Sequence, residues 1–181
     1  MHKNSKPVIY LIRVGLIAAL YLATTLIFSP MSFGIVQIRI SEALTVLPYR
    51  FKEAILGITI GCFIANLFSP FGPIDWVLGT LLTLIAAIIT YFLGKNQVKK
   101  YLVPIPTILI NSFGIGFYVV ALSSINTKLG LIEAMKFSFE HFYFQAYFIG
   151  VLTVGLGEAI STYILGLPLL NAVERRFKNE I

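Results

Sequence analysis

Apolar stretches long enough to cross a membrane take up nearly the whole of this 181-residue chain. A helix needs about 20 predominantly apolar residues to span the hydrocarbon core of a bilayer. The chain is 57% hydrophobic and only 12% charged, whereas soluble domains carry about 25% charged residues. The sequence therefore predicts an all-α integral membrane protein, with residues 1–181 forming one multi-pass domain in the cell membrane.

Six transmembrane helices are predicted, at about 8–28, 39–50, 54–68, 74–93, 104–123 and 143–165. The second is short and contested, because the stretch from Arg39 to Phe68 contains a proline and several charges. Six spans place eleven of the fourteen Lys and Arg residues on one side of the membrane, whereas five spans place nine there. The eleven are Lys3, Lys6, Arg13, Arg50, Lys52, Lys95, Lys99, Lys100, Arg175, Arg176 and Lys178. The positive-inside rule then puts both termini in the cytoplasm.

Small residues recur every four positions on two of the predicted spans. On the first span, Gly15, Ala19 and Ala23 leave a smooth strip that another helix can approach closely. On the third span, a similar strip consists of Gly57, Gly61 and Ala65.

The connections between spans also have recognisable patterns. The segment 29–38, which holds Pro30 and Gly34, is predicted to be a loop or lid. An amphipathic piece over 131–139 is expected to lie on the membrane surface. Pro168 is expected to end the last span, and 169–178 to form a short cytoplasmic tail helix.

Few polar side chains interrupt the apolar stretches, so each is a candidate site residue. The run RISEALTVLPY would place four of them in one sector of an α-helix that faces protein or water: Arg39, Glu42, Thr45 and Tyr49. Glu158 lies well inside the last span, where a charge costs about 2.5 to 3.5 kcal/mol on insertion scales. It is either a buried structural carboxyl group or the acceptor for a cation from outside the chain.

The remaining polar residues each allow two interpretations. Asp75 and Trp76 lie at the start of the fourth span. They are either an N-cap and an interfacial tryptophan or two site residues. Asn111 and Tyr118 share a helix face, and they suit either an interhelical hydrogen bond or a ligand contact. Asn66 lies just beyond the second small-residue strip, at the outer end of the third span.

The sequence lacks the motifs of ATP hydrolysis, metal binding and enzymatic catalysis. It contains no G-x-x-x-x-G-K-[ST] loop, H-E-x-x-H or G-x-S-x-G. Two histidines and a single cysteine, Cys62, make no metal-binding cluster. The basic residues lie in short clusters between apolar runs, which indicates membrane topology and not nucleic-acid binding. We therefore expect a protein that is not an enzyme and holds no metal or cofactor.

Three parts of the sequence resemble one known family. They are the run VQIRISEALTVLPYRFKEAILGITIGCFIANLF (36–68), Gly72-Pro73-Ile74-Asp75, and Gly157-Glu158-Ala159. Together they resemble the QueT family, the membrane-embedded S components of energy-coupling factor (ECF) transporters assigned to queuosine precursors. The resemblance implies a six-helix protein that binds substrate from the outer side and docks on a transmembrane coupling subunit driven by two cytoplasmic ATPases. It also implies an A-x-x-x-A docking pattern, matched by Ala19 and Ala23 next to Gly15.

The resemblance further implies a purine-like ligand, an aminomethyl-deazaguanine with an ammonium group, N–H donors and a flat ring. Carboxylates, amides and aromatic faces suit these groups, and the candidates are Arg39, Glu42, Asn66, Asp75, Trp76, Asn111, Tyr118 and Glu158. Three alternatives remain. They are a standalone cation-coupled secondary transporter with Glu158 as relay, an S component for another vitamin-like substrate, and a structural membrane subunit without a ligand.

The topology can be tested by placing cysteines in the connections. With six spans, cysteines at Asn96 and Asn179 should react only with membrane-permeant reagents in intact cells, because both positions are cytoplasmic. A cysteine at Thr127 should also react with impermeant reagents. Labelling of position 96 from outside the cell would contradict the six-span model.

Overall fold

The computed structural model describes residues 5–33, 37–123, 129–141 and 144–177, and these ranges contain helices and no strand. The α-helices are α1 (Ser5–Ile27), α2 (Ser29–Ser32), α3 (Glu53–Asn66), α4 (Thr80–Lys95), α5 (Ile105–Ser123), α6 (Leu131–Glu140), α7 (Phe144–Ala159) and α8 (Leu167–Arg176). A 3-10 helix, Ile40–Tyr49, lies between α2 and α3, and a 3-10 turn, Lys100–Leu102, precedes α5. A π-helical turn, Asp75–Gly79, leads into α4, and a second, Ile160–Gly166, joins α7 to α8.

Four helices in the described ranges are long and apolar enough to cross a membrane: Pro7–Ile27, Asp75–Lys95, Lys100–Leu122 and Phe144–Arg176. Helix α3 has 14 residues, which at about 1.5 Å per residue falls short of a hydrocarbon core of about 30 Å. The 3-10 helix has 10 residues, and at about 2.0 Å per residue it is also too short. The first five predicted spans overlap helical elements with similar bounds, whereas the helix that contains the sixth, 143–165, extends to Arg176. The count of six spans and the side of the termini stay predictions.

The stretch RISEALTVLPY is helical, but its geometry differs from the α-helix assumed from the sequence. Its backbone N–H groups donate hydrogen bonds to the carbonyl oxygen three residues earlier, as in the 2.9 Å bond from Glu42 N to Arg39 O. At three residues per turn, Glu42 and Thr45 share a face. Tyr49 lies about 120° away from them, and its hydroxyl donates to the Val98 carbonyl. The predicted polar sector is therefore divided, although all of Ser41–Tyr49 is buried in protein as expected.

The last helix continues past Pro168, contrary to the prediction that proline would end it. Together α7, the π-helical turn and α8 form one apolar helix of 33 residues, Phe144–Arg176. Proline lacks an N–H group and clashes with the carbonyl four residues earlier, so an unmodified α-helix would kink there. Here Pro168 stands in the first turn of α8, directly after the wider π-helical turn. This change of hydrogen-bond pattern lets the helix accept the proline.

The two small-residue strips have different surroundings. Gly57 and Gly61 are buried against α1, and a Cβ at Gly61 would lie 2.8 Å from both the Ala18 carbonyl oxygen and the Tyr21 Cβ. Glycine is needed there because the two helices approach so closely. By contrast, Gly15, Ala19 and Ala23 are exposed, and a Cβ at Gly15 would meet no atom within 4 Å.

Charged residues meet at one end of the bundle. Glu174 of α8 accepts hydrogen bonds from Arg50 and Lys100, and Arg13 of α1 lies 3.4 Å from Glu53 of α3. These three basic residues belong to the group that the charge count placed together. At the opposite end, the predicted amphipathic piece is α6, which packs through Ala134 into an apolar cluster with Phe71 and Ile74.

The close approach of α1 and α3 makes a specific prediction about stability. Gly61→Ala should lower the free energy of unfolding by about 1–3 kcal/mol, because the added methyl group meets backbone and Cβ atoms that have no room to move. Gly15→Ala is the matched control on the exposed strip, and it should change stability by no more than about 0.5 kcal/mol. Thermal unfolding of both variants in detergent measures the difference. Equal stability would mean that the two helices are not in such close contact.

Candidate ligand-binding site

An arginine and two carboxylates are buried together near the middle of the chain's fold. The Nη1 atom of Arg39 lies 4.0 Å from Glu42 Oε1, and its Nη2 atom lies 3.9 Å from Asp75 Oδ2. The exposed fraction of these side chains is 3% for Arg39 and 0% for both acids. Ions this deep cost free energy unless other groups hydrogen-bond to them.

Two tyrosines supply part of that bonding. The Tyr21 hydroxyl of α1 donates to Glu42 Oε1, and the Tyr118 hydroxyl of α5 donates to Asp75 Oδ1. Both tyrosines are fully buried. The result is a continuous chain of polar contacts, which we call the arginine cluster: Tyr21, Glu42, Arg39, Asp75 and Tyr118. It connects α1, the 3-10 helix, the first π-helical turn and α5.

Asn66 extends the arginine cluster at the end of α3. Its Nδ2 atom donates to the backbone oxygen of Asp75 at 3.0 Å and lies 3.4 Å from Thr80 Oγ1. These two contacts fix the orientation of the Asn66 amide, and its oxygen, Oδ1, takes part in neither of them. The N-cap interpretation of Asp75 is wrong, because the helix already includes Pro73 and Ile74, and the Asp75 carboxylate faces Arg39 and Tyr118 instead.

Glu158 and Asn111 form a second polar pair, between α7 and α5. Asn111 Nδ2 donates to Glu158 Oε1 at 2.9 Å, and Glu158 is 4% exposed. Its carboxyl group is close enough to Glu42 and Arg39 to interact with their charges. The neighbouring residue, Gly157, packs directly against the extended segment that leads to Arg39. A larger residue does not fit, because a Cβ at 157 would lie 1.9 Å from the Gln37 carbonyl oxygen.

Six buried atoms of these two groups have no hydrogen-bond partner within the described residues. Five are acceptor oxygens: Glu42 Oε2, Asn66 Oδ1, Asp75 Oδ2, Asn111 Oδ1 and Glu158 Oε2. One is a donor, Arg39 Nη2, which lies 3.9 Å from Asp75 Oδ2 in an ion pair that is too long for a hydrogen bond. Folded proteins pair the great majority of their buried polar atoms, so a concentration like this one is typical of a site that receives a polar ligand.

The chemistry of the site favours a ligand that donates more hydrogen bonds than it accepts. Three of these oxygens belong to carboxyl groups, whereas the two groups contain one guanidinium, that of Arg39. With all three acids ionised, the side chains carry an excess of two negative charges, which favours a cation. The described residues hold no group of three or more His, Cys, Asp or Glu side chains arranged for a metal ion. An organic cation with several N–H groups fits this arrangement.

Seven of the eight predicted binding residues lie in these two groups: Arg39, Glu42, Asn66, Asp75, Asn111, Tyr118 and Glu158. Trp76 is the exception. Its side chain is partly buried, and its Nε1 atom has no partner in the part of the chain described. No hydrogen bond joins its side chain to either group among the described residues, and a role in binding stays a prediction.

One residue of the arginine cluster was missed from the sequence, Tyr21. A tyrosine within a span is also typical of an apolar core, so its type alone did not single out Tyr21. Its position held a usable signal, since Tyr21 lies about 200° around α1 from both Ala19 and Ala23 and therefore faces away from the small-residue strip.

Comparison with known proteins decides the family. The model of the QueT transporter family matches residues 11–175. This chain belongs to the QueT transporter family. It is therefore a membrane protein of a transporter family and not a member of an enzyme family.

A curated QueT relative is also similar in sequence. The queuosine precursor transporter QueT of Lactococcus lactis subsp. cremoris (strain MG1363) is 36% identical over 77 residues. The alignment covers 41% of this chain and 45% of that relative, so less than half of each protein is compared. No solved structure matches the chain.

Proposed function

We propose that this QueT protein is the substrate-binding S component of an ECF-type importer and captures a cationic, guanine-like queuosine precursor. The observation that carries the proposal is the set of five acceptor oxygens and one donor, Arg39 Nη2, that have no hydrogen-bond partner among the described residues of the two groups. The family supplies the substrate class, since the matched relative is named as a queuosine precursor transporter. The polar site supplies the charge and the hydrogen-bonding pattern.

An aminomethyl-deazaguanine complements this pattern. Its ammonium, exocyclic amino and ring N–H groups are donors, which suit the five acceptor oxygens. Its ring carbonyl accepts, which suits Arg39 Nη2. We assign the ammonium to Glu158, because charge-assisted hydrogen bonds are the strongest available. Asn111 holds the other oxygen of that carboxylate.

The energy for uptake comes from partner subunits in this proposal. The chain has no P-loop of its own, and the exposed strip Gly15, Ala19 and Ala23 gives a coupling subunit a smooth surface on α1. A transmembrane coupling subunit would dock there, with two cytoplasmic ATPases bound to it. The protein then works in the cell membrane with six spans and cytoplasmic termini.

The charge on Glu158 gives the most direct test of the site. Glu158→Gln preserves the side chain's shape and removes its charge, so binding of the aminomethyl compound should weaken by roughly 10- to 100-fold. Binding of guanine, which lacks the ammonium, should change much less. Calorimetric titration of the purified protein with both compounds measures the two effects.

Glu53→Gln is the matched control for that experiment, because Glu53 pairs with Arg13 at the charged end of the bundle. It should leave both affinities unchanged. If Glu158→Gln binds the aminomethyl compound as tightly as the parent protein does, Glu158 is a structural carboxyl group. If the parent protein transports a cation without partner subunits, the chain is a secondary transporter and not an S component.

Docking can be tested separately on the exposed face of α1. Replacing Ala19 and Ala23 by Trp should block assembly with a co-expressed coupling subunit, because the bulk prevents close helix contact. Ligand binding by the isolated protein should survive, since both residues are exposed. Co-purification and titration give the two readouts.

The matched control introduces two tryptophans at the same spacing on another helix. Leu152 and Leu156 of α7 have the same spacing and are 61% and 62% exposed, so their replacement by Trp should leave assembly intact. Loss of ligand binding with assembly retained in the α1 variant would show that the strip is an internal packing surface.

A further inference from the structure

The three carboxyl groups of the site share one pattern of hydrogen bonding. In each, one oxygen accepts from a side chain of another helix: Glu42 Oε1 from Tyr21, Asp75 Oδ1 from Tyr118, and Glu158 Oε1 from Asn111. In each, the second oxygen has no hydrogen-bond partner in the described residues, although Asp75 Oδ2 lies 3.9 Å from Arg39 Nη2. The three donors therefore decide which oxygen of each acid remains available.

Tyr21 is the donor that no sequence pattern predicted, and its position is fixed from several sides. Its side chain is fully buried, and Gly61 of α3 leaves the space that its Cβ needs. One turn further along α1, Thr25 Oγ1 lies 2.6 Å from Ser41 Oγ, the residue beside Glu42. These contacts hold the Tyr21 hydroxyl at one oxygen of Glu42.

The position of Arg39 explains why the Tyr21 hydroxyl matters for the orientation of Glu42. Its Nη1 atom lies 4.0 Å from Glu42 Oε1, which is within ion-pair range and beyond hydrogen-bond length. Without the Tyr21 hydroxyl, the Glu42 carboxylate would be free to turn toward Arg39 and form a closer ion pair. That movement would take the charge of Glu42 away from the ligand.

We propose that Tyr21 is a ligand-positioning residue, which holds Glu42 so that Oε2 faces the ligand. This inference rests on the proposed function of the site as a ligand-binding site. Tyr21 acts through Glu42 and makes no ligand contact of its own. Helix α1, which carries the exposed small-residue strip, is thereby also part of the binding site.

The test removes the hydroxyl and keeps the ring. Tyr21→Phe should weaken binding of the aminomethyl compound by about 10-fold, the value of one hydrogen bond to a charged group. Calorimetric titration measures the affinity, and thermal unfolding in the same detergent confirms that the variant is folded.

Tyr49→Phe is the matched control. Tyr49 is also buried, and its hydroxyl makes one hydrogen bond, 2.6 Å long, to the Val98 carbonyl near the charged end of the bundle. Its loss should lower thermal stability to a similar degree and leave ligand affinity unchanged. A purely structural tyrosine at 21 would behave in the same way, so affinity distinguishes the two roles.

A double-mutant cycle shows whether Tyr21 acts through Glu42. In a Glu42→Gln background, the carboxylate charge is gone, so Tyr21→Phe should weaken the aminomethyl compound by less than about 3-fold. An undiminished 10-fold effect would overturn the assigned route through Glu42. If the parent binds the compound and Tyr21→Phe binds it equally well, the positioning role is wrong and the proposed function stands. If the parent binds no guanine-like compound, the proposed function fails and the inference fails with it.

Discussion

The rest of this structure depends on one buried interaction, the guanidinium of Arg39 between the carboxylates of Glu42 and Asp75. Removing one partner of a buried ion pair typically costs about 3–5 kcal/mol, because an uncompensated charge is left behind. The two distances to Arg39, 4.0 and 3.9 Å, are longer than hydrogen bonds, so the arginine alone does not satisfy either acid. Hydrogen bonds from Tyr21 and Tyr118 complete the arrangement and connect it to α1 and α5.

The 3-10 helix Ile40–Tyr49 brings Glu42 into the interior beside Arg39. Long 3-10 helices are uncommon, because their hydrogen bonds have poorer geometry than those of an α-helix. This one is held by its surroundings, since Ser41–Tyr49 is buried throughout. Hydroxyl contacts add to the packing, from Thr25 to Ser41 and from Thr107 to Thr45. A short segment that would be too costly in contact with lipid is thus stable within the bundle.

The sequence predicted the long helices well and the short central one poorly, for physical reasons. A long apolar stretch can adopt few structures in a bilayer. The predicted spans 74–93 and 104–123 therefore correspond closely to the observed helices Asp75–Lys95 and Ile105–Ser123. The stretch around Glu42 depends on its neighbours, and their contacts cannot be read from ten residues. Polar residues in apolar runs identified most of the candidate site, because burial of polarity needs compensation. Tyr21 was missed because a tyrosine also suits an apolar core.

In the proposed function, helix α1 would take part in both ligand binding and docking. Tyr21 is on its buried side and donates to Glu42, while Ala19 and Ala23 are on its exposed side. A partner that shifts α1 while binding the strip must also move the hydroxyl that holds Glu42. By thermodynamic linkage, any change in ligand affinity caused by the partner equals the change in partner affinity caused by the ligand. The contact between Tyr21 and Glu42 is therefore the place in this fold where an occupied site and a docked coupling subunit would influence each other.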